Sequence, residues 1–182
     1  MKMNLPNKLT MLRIVMIPFF VFFILVPQFE RAGEIIALLI FLAASFTDML
    51  DGRIARKRNL ITNFGKFMDP LADKMLVCSA MICLVKTEQL AAWIVIIIIG
   101  REFIISSFRL IASDNGIVIA ASIWGKAKTV SQMAMIILLI LNLSFVWYQV
   151  LCIIVTYVAL DLTVISLVDY VRKNADVLKE QN

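Results

Sequence analysis

Four aspartates, Asp48, Asp51, Asp69 and Asp73, stand close together in a chain that is otherwise strongly apolar. Asp48 and Asp51 are three apart and Asp69 and Asp73 four apart, so on helices each pair lies within about 40–60° of one face. Two antiparallel helices joined by a short loop can therefore point four carboxylates into one small volume. The chain contains no His, and oxygen-only donors favour Mg²⁺ or Mn²⁺, with four carboxylates suiting two ions that share oxygens. Paired ions about 3.5–4 Å apart stabilise both the attacking and the leaving oxygen in phosphoryl transfer. A single Asp near a helix end is more often a cap or a solvated charge, and Arg53, Arg56, Lys57, Arg58 and Lys74 are at hand as ion-pair partners. Four carboxylates at paired helical spacings, each costing a few kcal/mol to place in a membrane, favour a bound cation over that plainer account.

The residues between the aspartates are small or basic. Gly52 and Ala55 follow one helical face and leave a patch without side-chain bulk, where a flat group such as a nucleobase can lie, and Arg56, one turn beyond Gly52, can meet a diphosphate. Close helix packing explains Gly52 and Ala55 equally well. Asp69 followed by Pro70 reads as an N-cap with proline at the first helical position, which predicts a helix starting there. Without His, acid–base work falls to carboxylates, Lys, Arg or a metal. Cys78, Cys83 and Cys152 lie inside apolar runs without C-x-x-C spacing and read as small buried hydrophobes rather than as disulfides or thiolate ligands.

The elements that must position these groups are membrane helices. Of 182 residues, 62% are hydrophobic and 17% charged, with a mean hydropathy of +0.92, which excludes an ordinary soluble domain. At about 20 residues per crossing, the expectation is a single all-α integral-membrane domain over residues 1–182. It has a short interfacial segment at 1–7 and six transmembrane helices at about 9–26, 34–55, 70–86, 90–112, 127–143 and 147–171. The first apolar stretch has basic residues ahead of it but no small-residue cleavage site after Val26, so it reads as an uncleaved helix. Pro27–Gly33, Lys86–Gln89 and Asn142–Val146 form the outer connections, while 57–68, 113–125 and the tail after Val171 form the inner ones. Of eighteen Lys and Arg residues, only Arg31 and Lys86 fall on the outer side. That asymmetry predicts both termini in the cytoplasm and an active-site cavity open to the cytoplasmic side. The net charge of +5 is spread between apolar runs, so it reads as topology and phosphate binding and not as a nucleic-acid surface. No internal repeat is visible, which gives no support to an inverted-repeat transporter.

The run D-x2-D-G-x2-A-R-x8-G-x3-D-x3-D, from Asp48 to Asp73, resembles at every fixed position the signature of the CDP-alcohol phosphotransferase family. That resemblance implies a six-helix membrane enzyme, expected as a homodimer, that moves a phosphatidyl or similar group from a CDP-linked donor to an alcohol and releases CMP. By the same resemblance Asp48, Asp51 and Asp69 hold the metals. Asp73 ligates the second ion and acts as general base toward the acceptor hydroxyl, and Gly52, Ala55 and Arg56 contact the cytidine diphosphate. A carboxylate is mismatched by many pKa units to an alcohol, so the adjacent metal must acidify or orient that hydroxyl.

Further segments resemble the bacterial phosphatidylglycerophosphate synthases within that family. They are Asn4-Leu-Pro6-Asn7-Lys8-Leu-Thr10-Met-Leu-Arg13, then Arg101-Glu102-Phe103 with Ser106 and Arg109, then Gly116-Ile-Val, and Gly125-Lys126-Ala-Lys128-Thr129. The likeness runs over most of residues 4–132 and implies CDP-diacylglycerol as donor, with Asn7, Thr10 and Arg13 in its site, and glycerol 3-phosphate as acceptor. It also implies a bacterial cytoplasmic membrane location. The residues agree on their own terms: Arg101 and Arg109 sit on similar faces of the fourth helix, about 12 Å apart along its axis, and Lys126 and Lys128 open the fifth. Such a basic set, with Arg101, Arg109 and Lys126 as ligands, suits a phosphorylated alcohol. Positive-inside topology also accounts for Lys126 and Lys128. Arg101, placed mid-span, is either a phosphate ligand or the ion-pair partner of Glu102 or Asp161. Gly125 to Thr129 is not a P-loop, because Ala120 stands where that motif needs its first Gly. The rivals are a family member with another acceptor (phosphatidylglycerol, serine or inositol phosphate) and, from a different class, a metal-ion transporter. The transporter is disfavoured because the acidic residues gather near one face instead of continuing across the bilayer.

Overall fold

The computed structural model describes the backbone at residues 5–57, 63–114, 116, 119 and 122–174, and the side chains of these residues except 5–6, 48–57, 63–67 and 114. Among the described residues six α-helices follow one another: α1 (Leu5–Leu25), α2 (Glu30–Lys57), α3 (Asn63–Lys86), α4 (Ala92–Asp114), α5 (Ile123–Leu141) and α6 (Val146–Lys173), with a 3-10 turn at Pro27–Phe29 between the first two. No strand occurs among the described residues. All six expected helices are present, most with ends a few residues beyond the predicted limits. The expected interfacial segment overlaps α1, which already begins at Leu5, and its residues 1–4 lie outside the described residues.

α1, α5 and α6 contain apolar stretches of 19, 19 and 28 residues, with mean hydropathies of 2.1, 1.3 and 2.4, long enough to cross a bilayer. α2, α3 and α4 have 28, 24 and 23 residues, but charged residues interrupt their apolar runs. The four aspartates and Arg101 thus lie on helices whose apolar runs are interrupted, while Asn7, Thr10, Arg13 and Lys128 are polar residues buried on apolar ones. Large apolar side chains lie on the outside, among them Phe19, Leu39, Ile82, Ile96 at 70% exposure and Trp147 at 86%. That is a surface suited to hydrocarbon rather than water.

One expectation is corrected. α3 begins at Asn63 and continues through Asp69 and Pro70, with the proline inside the helix, so Asp69 is not an N-cap. Pro70 removes a single backbone donor, so the helix passes through it at the loss of one ladder hydrogen bond.

The chain forms two compact units, residues 1–89 and 90–182. In the first, α1 is the central helix and packs on both α2 and α3. Its buried face runs Asn7, Thr10, Arg13, Ile17 and Phe20, polar over the early turns and apolar later, at the three- and four-residue steps of one helical face. α2 answers with Gly33, Ala37, Phe41 and Ala44. A Cβ on Gly33 would stand 2.5 Å from the Phe23 carbonyl oxygen and 2.8 Å from Phe29 Cβ. Only glycine lets α2 start this close to the end of α1. Phe20 and Phe41 meet with ring centroids 6.0 Å apart. α3 contributes Ala72, Leu76, Ala80 and Leu84.

In the second unit α6 is central and packs on α5 and α4. α4 buries Ile94, Ile98, Arg101 and Ile105, so the arginine occupies a core position of its apolar stripe. α5 buries Lys128, Gln132, Met135, Ile136, Leu139 and Ile140. α6 turns Thr156, Thr163 and Ser166 inward beside Ala159, Leu160 and Tyr170. Thr156 and Thr163 return their hydroxyls to the carbonyls of Cys152 (2.7 Å) and Ala159 (2.6 Å), which satisfies these donors inside the helix. The Ser122 hydroxyl caps α5 by accepting from the Gly125 N–H at 3.1 Å. Asn142, at φ 40°, ends it in the left-handed conformation with its N–H on the Leu138 carbonyl at 3.2 Å.

Candidate active site

The acidic site is assembled around the first turns of α1. The fully buried Thr10 hydroxyl donates to Asp69 Oδ1 on α3, so the start of α1 lies level with the Asp69 turn. The guanidinium of Arg13, also fully buried, donates from Nε to the Ala44 carbonyl of α2 at 3.3 Å. That carbonyl also accepts from Thr47 Oγ1 at 2.7 Å. α1 and α2 run antiparallel, with Phe23 beside Gly33 and Arg13 beside Ala44. Continued along the helical backbone, this register brings positions 48 and 51 alongside the Asn7–Thr10 turn. Steps of four, three and four residues extend the α2 stripe from Ala44 through positions 48, 51 and 55.

The three-helix arrangement therefore gathers the backbone of the Asp48–Asp51 turn and the Asp69 carboxylate around one buried polar layer. The side chains of Asp48, Asp51, Gly52, Ala55 and Arg56 lie outside the described residues. Asp69 is partly buried on the packed face of α3, whereas Asp73, four residues on, is exposed. Among the described residues no group of three or more His, Cys, Asp or Glu comes together; the acidic side chains described, Asp69 and Asp73, offer oxygen alone, the donor type of hard cations such as Mg²⁺ or Mn²⁺.

The second unit holds a basic cluster of a different build. Arg101, 8% exposed, pairs through Nη1 with Glu102 Oε1 at 3.0 Å, and its Nη2 donates to the buried Ser166 hydroxyl of α6. The same Glu102 oxygen takes the ammonium of Lys128 on α5, itself almost fully buried. One carboxylate thus bridges two cations from different helices, and α6 steadies one of them through a serine. Between the two partners offered for Arg101, the structure selects Glu102; Asp161 is exposed. Arg109 and Lys126 are exposed as well.

Sequence spacing does not single out the buried partner Ser166, and it marks Lys128 only as part of the basic set that opens the fifth helix. Lys128 stands two residues from Lys126 and looks identical to it in composition, and only its place on the packed face of α5 tells them apart. Ser166 lies in a helix with no motif. An inward rhythm of hydroxyls, Thr156, Thr163 and Ser166, was the available signal. Of the remaining segments, Gly116 is left-handed at φ 72°, and the Ile117 and Val118 that follow it lie outside the described residues.

The profile of the family described as CDP-alcohol phosphatidyltransferase matches residues 3–165. The chain is 44% identical to the CDP-diacylglycerol--glycerol-3-phosphate 3-phosphatidyltransferase of Bacillus subtilis, over 98% of this chain and 99% of that protein. It is 40% identical to the protein of the same name from Haemophilus influenzae, over 94% of each chain. It is also 40% identical to a probable phosphatidylglycerophosphate synthase of Mycobacterium tuberculosis, over 93% of this chain and 81% of that protein. With the profile spanning most of both units and the acidic signature complete, the chain belongs to the CDP-alcohol phosphatidyltransferase family.

Proposed function

We propose that the protein transfers the phosphatidyl group of CDP-diacylglycerol to glycerol 3-phosphate, giving phosphatidylglycerophosphate and CMP. The observation that carries this reading is the near end-to-end likeness to relatives bearing that activity in their names. In the reaction a glycerol hydroxyl attacks the phosphorus that bears the diacylglycerol, the bridging P–O bond of the diphosphate breaks, and CMP leaves with that oxygen.

Asp48, Asp51, Asp69 and Asp73 are the proposed ligands of two divalent cations, Mg²⁺ or Mn²⁺. When bound, these cations would supply the positive charge that offsets the diphosphate and acidifies the attacking hydroxyl. Asp73 is exposed, which suits a base that must reach an incoming acceptor, and it takes the hydroxyl proton. Gly52, Ala55 and Arg56, with the polar layer of Asn7, Thr10 and Arg13, form the proposed donor site. Arg101, Arg109 and Lys126 are the proposed ligands of the acceptor phosphate. Arg101 is held in a fixed orientation by Glu102 and Ser166, and a guanidinium so held loses little freedom on meeting an anion.

We read the chain as one catalytic domain with six spans, both termini on the cytoplasmic side of a bacterial cytoplasmic membrane, acting as a homodimer. The placement of Lys and Arg supports the orientation. The antiparallel course of α1 and α2 supports successive crossings. The test is release of CMP by the purified chain with CDP-diacylglycerol and Mn²⁺ or Mg²⁺. Release is expected only when glycerol 3-phosphate is present. Release with serine, inositol phosphate or phosphatidylglycerol in its place would overturn the acceptor assignment.

A further inference from the structure

Thr10 sits on the second turn of α1 with no exposed surface, and its one hydroxyl proton is committed to Asp69 Oδ1, 59 residues away in the chain. An ionised carboxylate offers about four lone-pair sites. A bond that occupies one of them on Oδ1 fixes the torsion of the group and so fixes where the sites on Oδ2 are aimed. Hydrophobic packing alone does not require this arrangement, since valine has nearly the shape of threonine and no polar atom to bury. In the same layer Arg13 donates to the Ala44 carbonyl at 3.3 Å, and in an α-helix that carbonyl is the acceptor for the N–H of position 48. α1 therefore grips an acidic turn on each neighbouring helix, α3 through Thr10 and α2 through Arg13.

We propose that Thr10 is a positioning residue for the metal site, orienting Asp69 through the Oγ1–Oδ1 hydrogen bond so that its remaining oxygen lone pairs face the cation. This rests on the reading of Asp69 as a metal ligand. Besides its place in the proposed donor layer, Thr10 then serves the reaction by holding a metal ligand. Groups that hydrogen-bond to metal ligands from behind typically change metal affinity by about 10–100-fold when removed.

The experiment is Mn²⁺ titration of the full chain in detergent, followed by the electron paramagnetic resonance signal of free Mn²⁺, for the native protein and for Thr10→Val, Thr10→Ser and Thr10→Cys. Thermal unfolding is recorded in chelator for each. Thr10→Val is expected to weaken Mn²⁺ binding about 10–100-fold with unfolding unchanged in chelator, and Thr10→Ser to stay within about threefold of native. If Thr10→Val does not fold, Thr10→Cys decides, because a thiol is a poor donor; it is expected to fall between the other two. Native-like Mn²⁺ affinity in the Val or Cys variant overturns the proposal. Equal loss in Thr10→Ser and Thr10→Val also overturns it, since the hydroxyl would then be irrelevant. A native chain that binds no Mn²⁺ brings down the metal-site reading itself. A native chain that binds Mn²⁺ and releases CMP, beside an unaffected Thr10→Val, removes only the role of Thr10.

Discussion

The acidic and basic clusters handle buried polarity in opposite ways. Around α1, a neutral hydroxyl steadies Asp69 while Asp73, one turn on, is left exposed. Around α6, the charges are closed on one another: Arg101 and Lys128 share one oxygen of Glu102, and Ser166 takes a further arginine proton. The first arrangement leaves an acidic side chain at the surface, where an arriving ligand can meet it. The second keeps cations rigid and already partly compensated, which tempers the cost of holding them in apolar surroundings.

The contrast is sharpest at Asp73. Asp73→Asn is expected to lower CMP release by about 1000-fold or more while donor binding remains measurable, in line with loss of a general base. Asp48→Asn is expected to weaken metal and donor binding together. Near-native turnover in Asp73→Asn would remove the proposed base. A smaller effect is expected in the basic cluster. Arg101→Lys keeps the charge but cannot serve Glu102 and Ser166 with the same planar fork. The KM for glycerol 3-phosphate should rise about 10–100-fold, as expected for losing a charge-assisted contact of about 1.5–3 kcal/mol, with the KM for CDP-diacylglycerol little changed. Lys126→Gln, on an exposed residue, should raise the same KM only about threefold, because a solvated charge contributes less. Equal effects at the two positions would erase the distinction between a built and a solvated cation. The smallest effect on catalysis is expected at Gly33. Gly33→Ala places a methyl group against the Phe23 carbonyl and should lower the unfolding temperature by several degrees through overpacking of about 1–3 kcal/mol, with turnover at low temperature nearly native.

These two regions were also unequally legible in the sequence. The acidic site could be read because its parts lie on two consecutive helices, where spacing alone sets the face. The α1 face fell within a recognisable segment, but its direct hold on Asp69 did not follow from spacing. The start of α3 lies earlier than Asp-Pro signals, a strong local mark of a helix start, because the helix begins at Asn63 and takes in Pro70 at the loss of one backbone donor. In the basic cluster the local signal was weaker still. Lys126 and Lys128 cannot be told apart until α5 packs, and the choice between Glu102 and Asp161 as the partner of Arg101 depends on which face α6 turns inward. The helices themselves were the easiest part, since apolar runs of this length allow little else.

The central place of α1 in its unit bears on how the protein is made. α1 precedes α2 and α3 in the chain, yet its inward face carries Thr10 and Arg13, groups whose partners Asp69 and Ala44 belong to segments synthesised afterward. Inserted alone, that face meets lipid or headgroups with an arginine that costs about 2.5–3.5 kcal/mol at bilayer depth. The α2 hairpin relieves Arg13 first, and Thr10 waits until the Asp69 turn of α3 has been translated. Assembly of the first three helices during biogenesis is therefore ordered from the chain's own chemistry, and the acidic centre is completed in the same event that finally settles the earliest helix.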